Sequence, residues 1–549
     1  MNLSNVWVAV VLAILVAGGF LYFPGHTYLH SDTQIYLPIL DHLRDPSLYP
    51  KDPIALRPHV SYTIYDEMAL TLRRITGFDF RIVLHAQQIL FRFCGLWGMF
   101  LIGRALNFPV SAALLVASIY GLGATIGGPS VLLLEYEPVP RGFAGPLTVF
   151  ALGLAAASRW TASGLALGVA ILYHPPTTVP VLAVLLPVAA WKGKWRIFGP
   201  VLTAALITWA LSRLQAGEVE RQRFFVTIDP ELEKLQRMRG SYNWISLWGA
   251  QWIRNYQLLA ALFVLGWLRI RNRWPETMRP VMPGLVAYGL LIMPLTWLLL
   301  DRWKWGFLTQ FQPGRGVLFI TLATLVVSAA CAIDAARSGR RIESIVWFFV
   351  AFAIPAQADT SQLLFADLRD PVMGARFGSV LALAMLASFA ARDEIISKPL
   401  LAAALVLPFW IYTGPAGVRN YRDLDQKQVR DLAAWAREKT PKEAVFLFPD
   451  AGQELYPGFF RVYAQRSLYV DWKGGGQVNL LRGLGLDWWD RWKKAGEGKF
   501  VPDSIGALEE AGVDYLVLKR ANRLAGREPV AESPDYLVYR ISPILSSGQ

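Results

Sequence analysis

The chain is expected to be a polytopic α-helical membrane protein with a C-terminal extracytoplasmic α/β domain. Three observations predict this. Of its 549 residues 54% are hydrophobic and only 17% charged, far from the balance of a soluble protein. Apolar stretches of the length a helix needs to cross a bilayer core recur along the first three quarters. After Pro415 the apolar runs shorten and alternate with polar, helix-like segments.

The apolar stretches lie near 6–24, 84–106, 108–126, 142–158, 161–173, 177–191, 197–212, 257–270, 281–300, 317–334, 342–358, 376–391 and 399–413. They make about thirteen transmembrane helices, the shorter ones broken or tilted. The first lacks a basic leader and a small-residue cleavage site, so it is expected to be retained. Lys192, Lys194 and Arg196, then Arg269, Arg271, Arg273 and Arg279, then Arg337, Arg340 and Arg341 fall on loops of one side. The positive-inside rule makes that side cytoplasmic and puts the N-terminus with it. An odd number of spans leaves 414–549 outside a cytoplasmic (inner) membrane, beyond a transmembrane domain of residues 1–413. The net charge of +13 is assigned to this topology and to anionic lipid, with the bilayer as partner and no nucleic acid. Cys94 and Cys331 both fall in apolar stretches, which argues against a disulfide or a cysteine metal site.

The outer loops are 25–83, 127–141, 213–256 and 301–316, with a shorter acidic one at 359–375. In the first, Ile64, Met68, Leu72 and Ile75 recur at helical spacing from Tyr62 to Ile75 among proline-rich extended stretches. The third opens with Glu218, Glu220, Arg221 and Arg223 and continues with Trp244, Trp248 and Trp252, which fit an interfacial belt. In the C-terminal domain, helices are expected over Asp423 to Glu438 and near 477–495 and 504–511. Strands are expected at Ala444 to Phe448, Phe460 to Val470, Val513 to Lys519 and Tyr536 to Ile541. Gly474-Gly475-Gly476 lacks the strand and helix context of a phosphate-binding loop.

Chemistry is expected on the outer face. Asp32, in His30-Ser31-Asp32-Thr33-Gln34-Ile35-Tyr36, stands just past the first span, where a carboxylate meets both a lipid-borne substrate and water. There it is an ordinary solvated loop acid, or it serves as a base or a metal ligand, with His30 assisting or only hydrogen-bonding. Glu135 and Glu137, at i and i+2, point to one face of an extended loop on the same side. With Asp32 they offer three oxygen ligands to Mg²⁺ or Mn²⁺ if the chemistry is metal-dependent; the competing reading is a helix cap or an ion pair with Arg141. Arg141 and Arg315, the latter in Gln312-Pro313-Gly314-Arg315-Gly316, begin two spans at their outer ends and can grip a phosphate, or merely snorkel. Arg92, at membrane depth, is a functional candidate by its cost alone, or a structural partner. His174, before Pro175-Pro176, ends a span within reach of the same phosphate. Asp471-Trp472-Lys473 and Asp487-Trp488-Trp489-Asp490 suggest a carbohydrate platform, with core packing the alternative.

Together these features resemble the GT-C class of membrane glycosyltransferases, including the oligosaccharyltransferases and protein mannosyltransferases. An acid in the first outer loop corresponds to Asp32, and the second acidic motif of oligosaccharyltransferases is matched in type and place by Glu135-Tyr136-Glu137. The acceptor-binding WWDYG-type motif is absent; Asp487-Trp488-Trp489-Asp490-Arg491 shares letters but lacks the Tyr-Gly. The pattern of Ala434-Trp435-Ala436-Arg437, Thr440-Pro441, Phe460-Arg461 and Asp471-Trp472-Lys473 also resembles uncharacterised bacterial GT-C-like membrane proteins. The resemblance implies a GT-C fold and transfer of a sugar from a polyprenyl-phosphate-linked donor to an extracytoplasmic protein, glycan or lipid acceptor. Asp32, Glu135 and Glu137 are then catalytic, and His30, Arg92, Arg141, His174 and Arg315 bind substrate. A transporter or flippase for a lipid-linked substrate, and a non-catalytic scaffold on the same fold, are the rival readings.

Overall fold

The computed structural model describes residues 3–56, 63–214, 224–392, 398–419 and 425–542. Glu218, Glu220, Arg221, Arg223, Tyr62 and Asp423, named above, lie outside them.

Each of the thirteen apolar stretches centres on a helix. Four helices, Trp195–Arg213, Val281–Arg302, Phe307–Arg337 and Pro371–Ala390, are long and apolar enough to cross a membrane. Five more, Asn5–Leu21, Val110–Gly121, Trp160–Tyr173, Pro175–Trp191 and Lys398–Thr413, are apolar but shorter. By this measure the expected count of thirteen spans exceeds what length and composition alone support. The segment Leu318–Arg337 is the centre of the bundle: every residue from Phe319 to Ala336 is buried. Within it the Thr324 hydroxyl donates to the Leu259 carbonyl at 2.9 Å. At the end assigned to the cytoplasm, Asp334 is paired with Arg269, Arg273 and Arg340.

The site depends on one close helix pair, Phe80–Ala105 against Pro140–Ala156. Small residues let the backbones touch. A Cβ on Gly98 would lie 2.6 Å from the Phe150 Cα, and one on Gly153 would lie 2.2 Å from the Gly98 carbonyl oxygen. Asp79 fixes the start of the first of these helices by accepting from the Ile82 N–H at 2.9 Å.

The first outer loop holds two helices, Thr33–Arg44 and Tyr65–Thr76. The second is the expected amphipathic one. The first was hidden by Pro38 inside it and by the prolines that follow.

The C-terminal region carries a five-stranded sheet. Its strands follow the hairpin pair β1 (Thr125–Ile126) and β2 (Val131–Leu132) of the second outer loop; they are β3 (Val445–Leu447), β4 (Ser467–Leu468), β5 (Tyr515–Lys519), β6 (Ala531–Glu532) and β7 (Tyr536–Arg540), in the order β4-β3-β5-β7-β6. β3 is parallel to both its neighbours, and β7 is antiparallel to β5 and β6. One expected strand is replaced. Phe460 to Val470 opens as the end of a helix, Tyr456–Ala464, and only Ser467–Leu468 pairs as a strand. Pro457 at the first helical turn and Gln465 in the left-handed conformation bound that helix, and its aromatic residues at three- and four-residue spacing pack into one hydrophobic cluster.

This region does not stand apart from the membrane portion. Phe446, Phe459, Phe460 and Tyr515 share one hydrophobic cluster with Leu29, Leu37, Leu40 and Tyr65 of the first outer loop. A buried ion triad reinforces the junction: Arg461 Nε lies 3.0 Å from Asp52 of the first outer loop, and Arg461 Nη2 lies 2.6 Å from Asp471. All three side chains are at most 3% exposed. Removing one member of such a set leaves an uncompensated buried charge. Arg461→Ala is therefore expected to cost about 3–5 kcal/mol, read as a lowered thermal midpoint of the detergent-solubilised protein; an unchanged midpoint would show that the triad does not hold the junction.

Candidate functional site

Asp32 occupies the N-cap position of helix Thr33–Arg44, yet its carboxylate makes no cap hydrogen bond. It is spent on cations instead. Arg141, in the first turn of helix Pro140–Ala156, reaches one carboxylate oxygen. Lys473, from the C-terminal region, places its Nζ 2.5 Å from the other and 2.7 Å from the Ser31 hydroxyl. Partial burial opposes ionisation of Asp32, but the adjacent charges of Lys473 and Arg141 outweigh it and hold the carboxyl well below the usual range.

Glu135 fixes Arg141. Its Oε1 accepts from Arg141 Nε at 2.8 Å and its Oε2 from Nη2 at 3.4 Å, a bidentate fork that leaves Nη1 for Asp32. The loop that carries Glu135 is held from the neighbouring helix. Arg92, 3% exposed, donates to the carbonyls of Gly19 at 3.2 Å, Gly25 at 2.8 Å and Glu135 at 2.7 Å. Gln88 donates to the carbonyls of Glu135 at 3.1 Å and Tyr136 at 2.8 Å. Arg92 thus ties three backbone carbonyls, in line with the structural alternative open for it in the sequence rather than with contact to substrate.

Glu137 works on the other loop. Its carboxylate accepts the backbone N–H groups of His30 at 3.0 Å, Ser31 at 2.7 Å and Asp32 at 2.7 Å, and the Thr33 hydroxyl at 2.8 Å. The loop before helix Thr33–Arg44 is wrapped around this one buried side chain, and Asp32 is aimed by it. Glu137 is consequently saturated by donors, and Asp32 and Glu135 are taken by cationic side chains. The three carboxylates expected as metal ligands do not converge as such a set, and no group of three His, Cys, Asp or Glu suited to a metal ion occurs among the described residues. His30 enters through its backbone. His174 caps helix Pro175–Trp191, its Nδ1 accepting from the Thr177 N–H at 3.3 Å.

Arg315 differs from the other arginines. It sits on the turn Pro313–Val317, where Gln312 is left-handed and Gly316 leaves no room for a side chain, since a Cβ there would lie 2.6 Å from the Tyr288 ring. Its guanidinium lies 5.6 Å from the centre of the Tyr242 ring. Its Nε is buried without a hydrogen-bond partner, and it forms no ion pair among the described residues. Arg315, Arg141, Glu135 and Thr177 line one cleft, whose remaining wall includes Pro146, Val149, Pro180 and Phe319. Two arginines in one cleft with largely apolar walls can hold an anion attached to a hydrocarbon.

Lys473 is the residue that sequence reasoning missed as a site member. Its motif drew notice for its aromatic ring and not for the lysine. The expected carbohydrate platform is instead largely core: Trp488 and Trp492 are buried and stacked, and Trp488 Nε1 donates to the Asp471 carbonyl at 2.8 Å.

Residues 427–495 match a family model described as a domain of unknown function, DUF6798. No curated protein matches the chain. Among solved structures, ArnT from Cupriavidus metallidurans in the apo state aligns over 100% of both chains at 14% identity with a TM-score of 0.43; a second structure of it is bound to undecaprenyl phosphate. The Archaeoglobus fulgidus oligosaccharyltransferase, tethered with an acceptor peptide, aligns with 94% of this chain and 69% of its own at 12% identity and a TM-score of 0.44. The mycobacterial arabinofuranosyltransferase AftD aligns with 99% of this chain but only 42% of its own, at 16% identity and a TM-score of 0.44. These similarities give no residue a role.

The Glu137 clamp carries its own prediction. Glu137→Gln turns one acceptor toward an N–H as a donor and is expected to destabilise the protein by about 1–3 kcal/mol, measured by thermal unfolding; wild-type stability in this variant would contradict the clamp.

Proposed function

We propose that the chain is a multi-pass membrane glycosyltransferase that moves a sugar from a polyprenyl-phosphate-linked donor to an extracytoplasmic acceptor. The observation that carries this reading is Arg315, a half-buried arginine whose Nε is buried without a hydrogen-bond partner and which pairs with no carboxylate among the described residues, in the same apolar-walled cleft as Arg141. A cation placed in this way calls for an anion, and the apolar wall suits a prenyl chain. Arg141 links that cleft to Asp32, so a donor phosphate held by Arg141 and Arg315 brings its sugar carbon toward the Asp32 carboxylate.

In this reading Asp32 takes the proton of the acceptor hydroxyl as the new bond to the sugar forms and the bond to the phosphate oxygen breaks, with inversion at the sugar carbon. Glu135 orients Arg141, Glu137 orients the Asp32 loop, and Arg92 and Gln88 hold the loop between them. Arg141 and Arg315 stabilise the charge that develops on the leaving phosphate. The membrane is the cytoplasmic (inner) one, with the N-terminus inside and residues 414–549 outside. The acceptor is a protein, glycan or lipid on that outer face.

In membranes supplied with radiolabelled polyprenyl-phosphate sugars, Asp32→Asn is expected to lower transfer by about 100-fold or more while expression and folding persist. Near-wild-type transfer by this variant would contradict the assignment. Arg315→Met is expected to weaken binding of undecaprenyl phosphate by about tenfold, the scale of one charge-assisted contact, as read by titration of the purified protein; unchanged affinity would remove the phosphate from this cleft.

A further inference from the structure

The glycosyl-transfer reading leaves one charge unaccounted for. The donor is a phosphodiester with a single negative charge. As the bond between sugar and phosphate breaks, the electron pair stays on the phosphate oxygen and its charge rises from one to two. The acceptor proton meanwhile goes to Asp32, whose charge falls from one to zero. One negative charge thus leaves Asp32 and appears on the phosphate, and the counter-ions must follow it.

Asp32 has two counter-ions, and only one is free to move. Arg141 is clamped by both oxygens of Glu135 and already lines the cleft. Lys473 has no such second carboxylate among the described residues: its Nζ contacts the Asp32 carboxylate and the Ser31 hydroxyl. An ammonium on a flexible stem can re-aim, which a clamped guanidinium cannot. The backbone beneath it is nevertheless fixed. Asp471 pairs with the buried Arg461 and accepts from the Gly474 N–H at 3.2 Å. The Trp472 carbonyl accepts from Arg239 Nη2 at 2.5 Å, and the Trp472 ring lies 3.7 Å beneath that guanidinium. A pinned backbone with a mobile cation is the arrangement a charge-following residue needs.

We infer that Lys473 is a catalytic residue supplied by the C-terminal region, whose ammonium leaves the Asp32 carboxylate as it takes the acceptor proton and pairs with the phosphate oxygen that the sugar departs from. The C-terminal region is then part of the active centre, and Lys473 favours the doubly charged product phosphate over the singly charged donor. This inference rests on the glycosyl-transfer reading.

The test uses the full chain in nanodiscs near pH 8 with two probes: undecaprenyl phosphate, which is mostly a dianion there, and its phosphate methyl ester, a monoanion. The wild type is expected to bind the dianion more tightly. Lys473→Met should lose about tenfold of that discrimination, while Lys473→Arg keeps most of it. Asp32→Asn, which imitates the protonated carboxyl, should increase discrimination with Lys473 present and leave it unchanged in the Lys473→Met background. Equal loss of both ligands in Lys473→Met, or full discrimination without the lysine, would overturn the inference. If binding depends on Arg315 but not on Lys473, the donor reading stands and the lysine's role falls. If the wild type binds neither probe, both fall.

Discussion

Keeping a partly buried carboxylate ionised requires cations close to it, and the cations that serve Asp32 come from distant parts of the chain. Arg141 lies 109 residues away and Lys473 lies 441. That one requirement joins the start of an apolar helix, the first outer loop and the C-terminal region at a single point. The junction is built to support it: the Arg461 triad links Asp52 of the first loop to Asp471, two residues before Lys473. Moving either element would expose an unpaired charge, so the geometry of the centre and the docking of the C-terminal region are the same problem.

The division of labour among the acids follows from what surrounds each. Glu137 is 1% exposed and faces backbone N–H groups, so it shapes a loop. Glu135 faces a guanidinium, so it aims a cation. Asp32 alone stands where its partners are one fixed and one mobile charge. Three carboxylates that look interchangeable on paper are separated by the donors around them, and Arg92 and Gln88 keep those donors apart by holding the intervening carbonyls. The close approach at Gly98 and Gly153 sets the two helices, and through them Arg92 and Arg141, at the spacing the loops need.

Much of this was legible in the sequence. Apolar length located the helices, and counting charged loops put Asp32 and the Glu135-Tyr136-Glu137 motif on one face. Arg141 and Arg315 were found because a cation at the outer end of a span is conspicuous. Less visible was anything that depends on backbone partners: nothing in the letter of Glu137 tells that it accepts three N–H groups. Lys473 was hidden by its separation along the chain from Asp32 and by the tryptophan beside it. The end of helix Tyr456–Ala464 was read as strand because its aromatic residues suit either, and helix Thr33–Arg44 was not expected because Pro38 usually argues against one.

The central claim is that Arg141 and Arg315 share a phosphate whose hydrocarbon runs along the apolar wall of their cleft. A cryo-electron-microscopy map of the protein in nanodiscs with undecaprenyl phosphate tests it most directly. The account predicts phosphate density between the two guanidinium groups, with the chain passing Pro146 and Phe319. Phosphate density elsewhere, with Arg315 paired to a protein carboxylate, would contradict it.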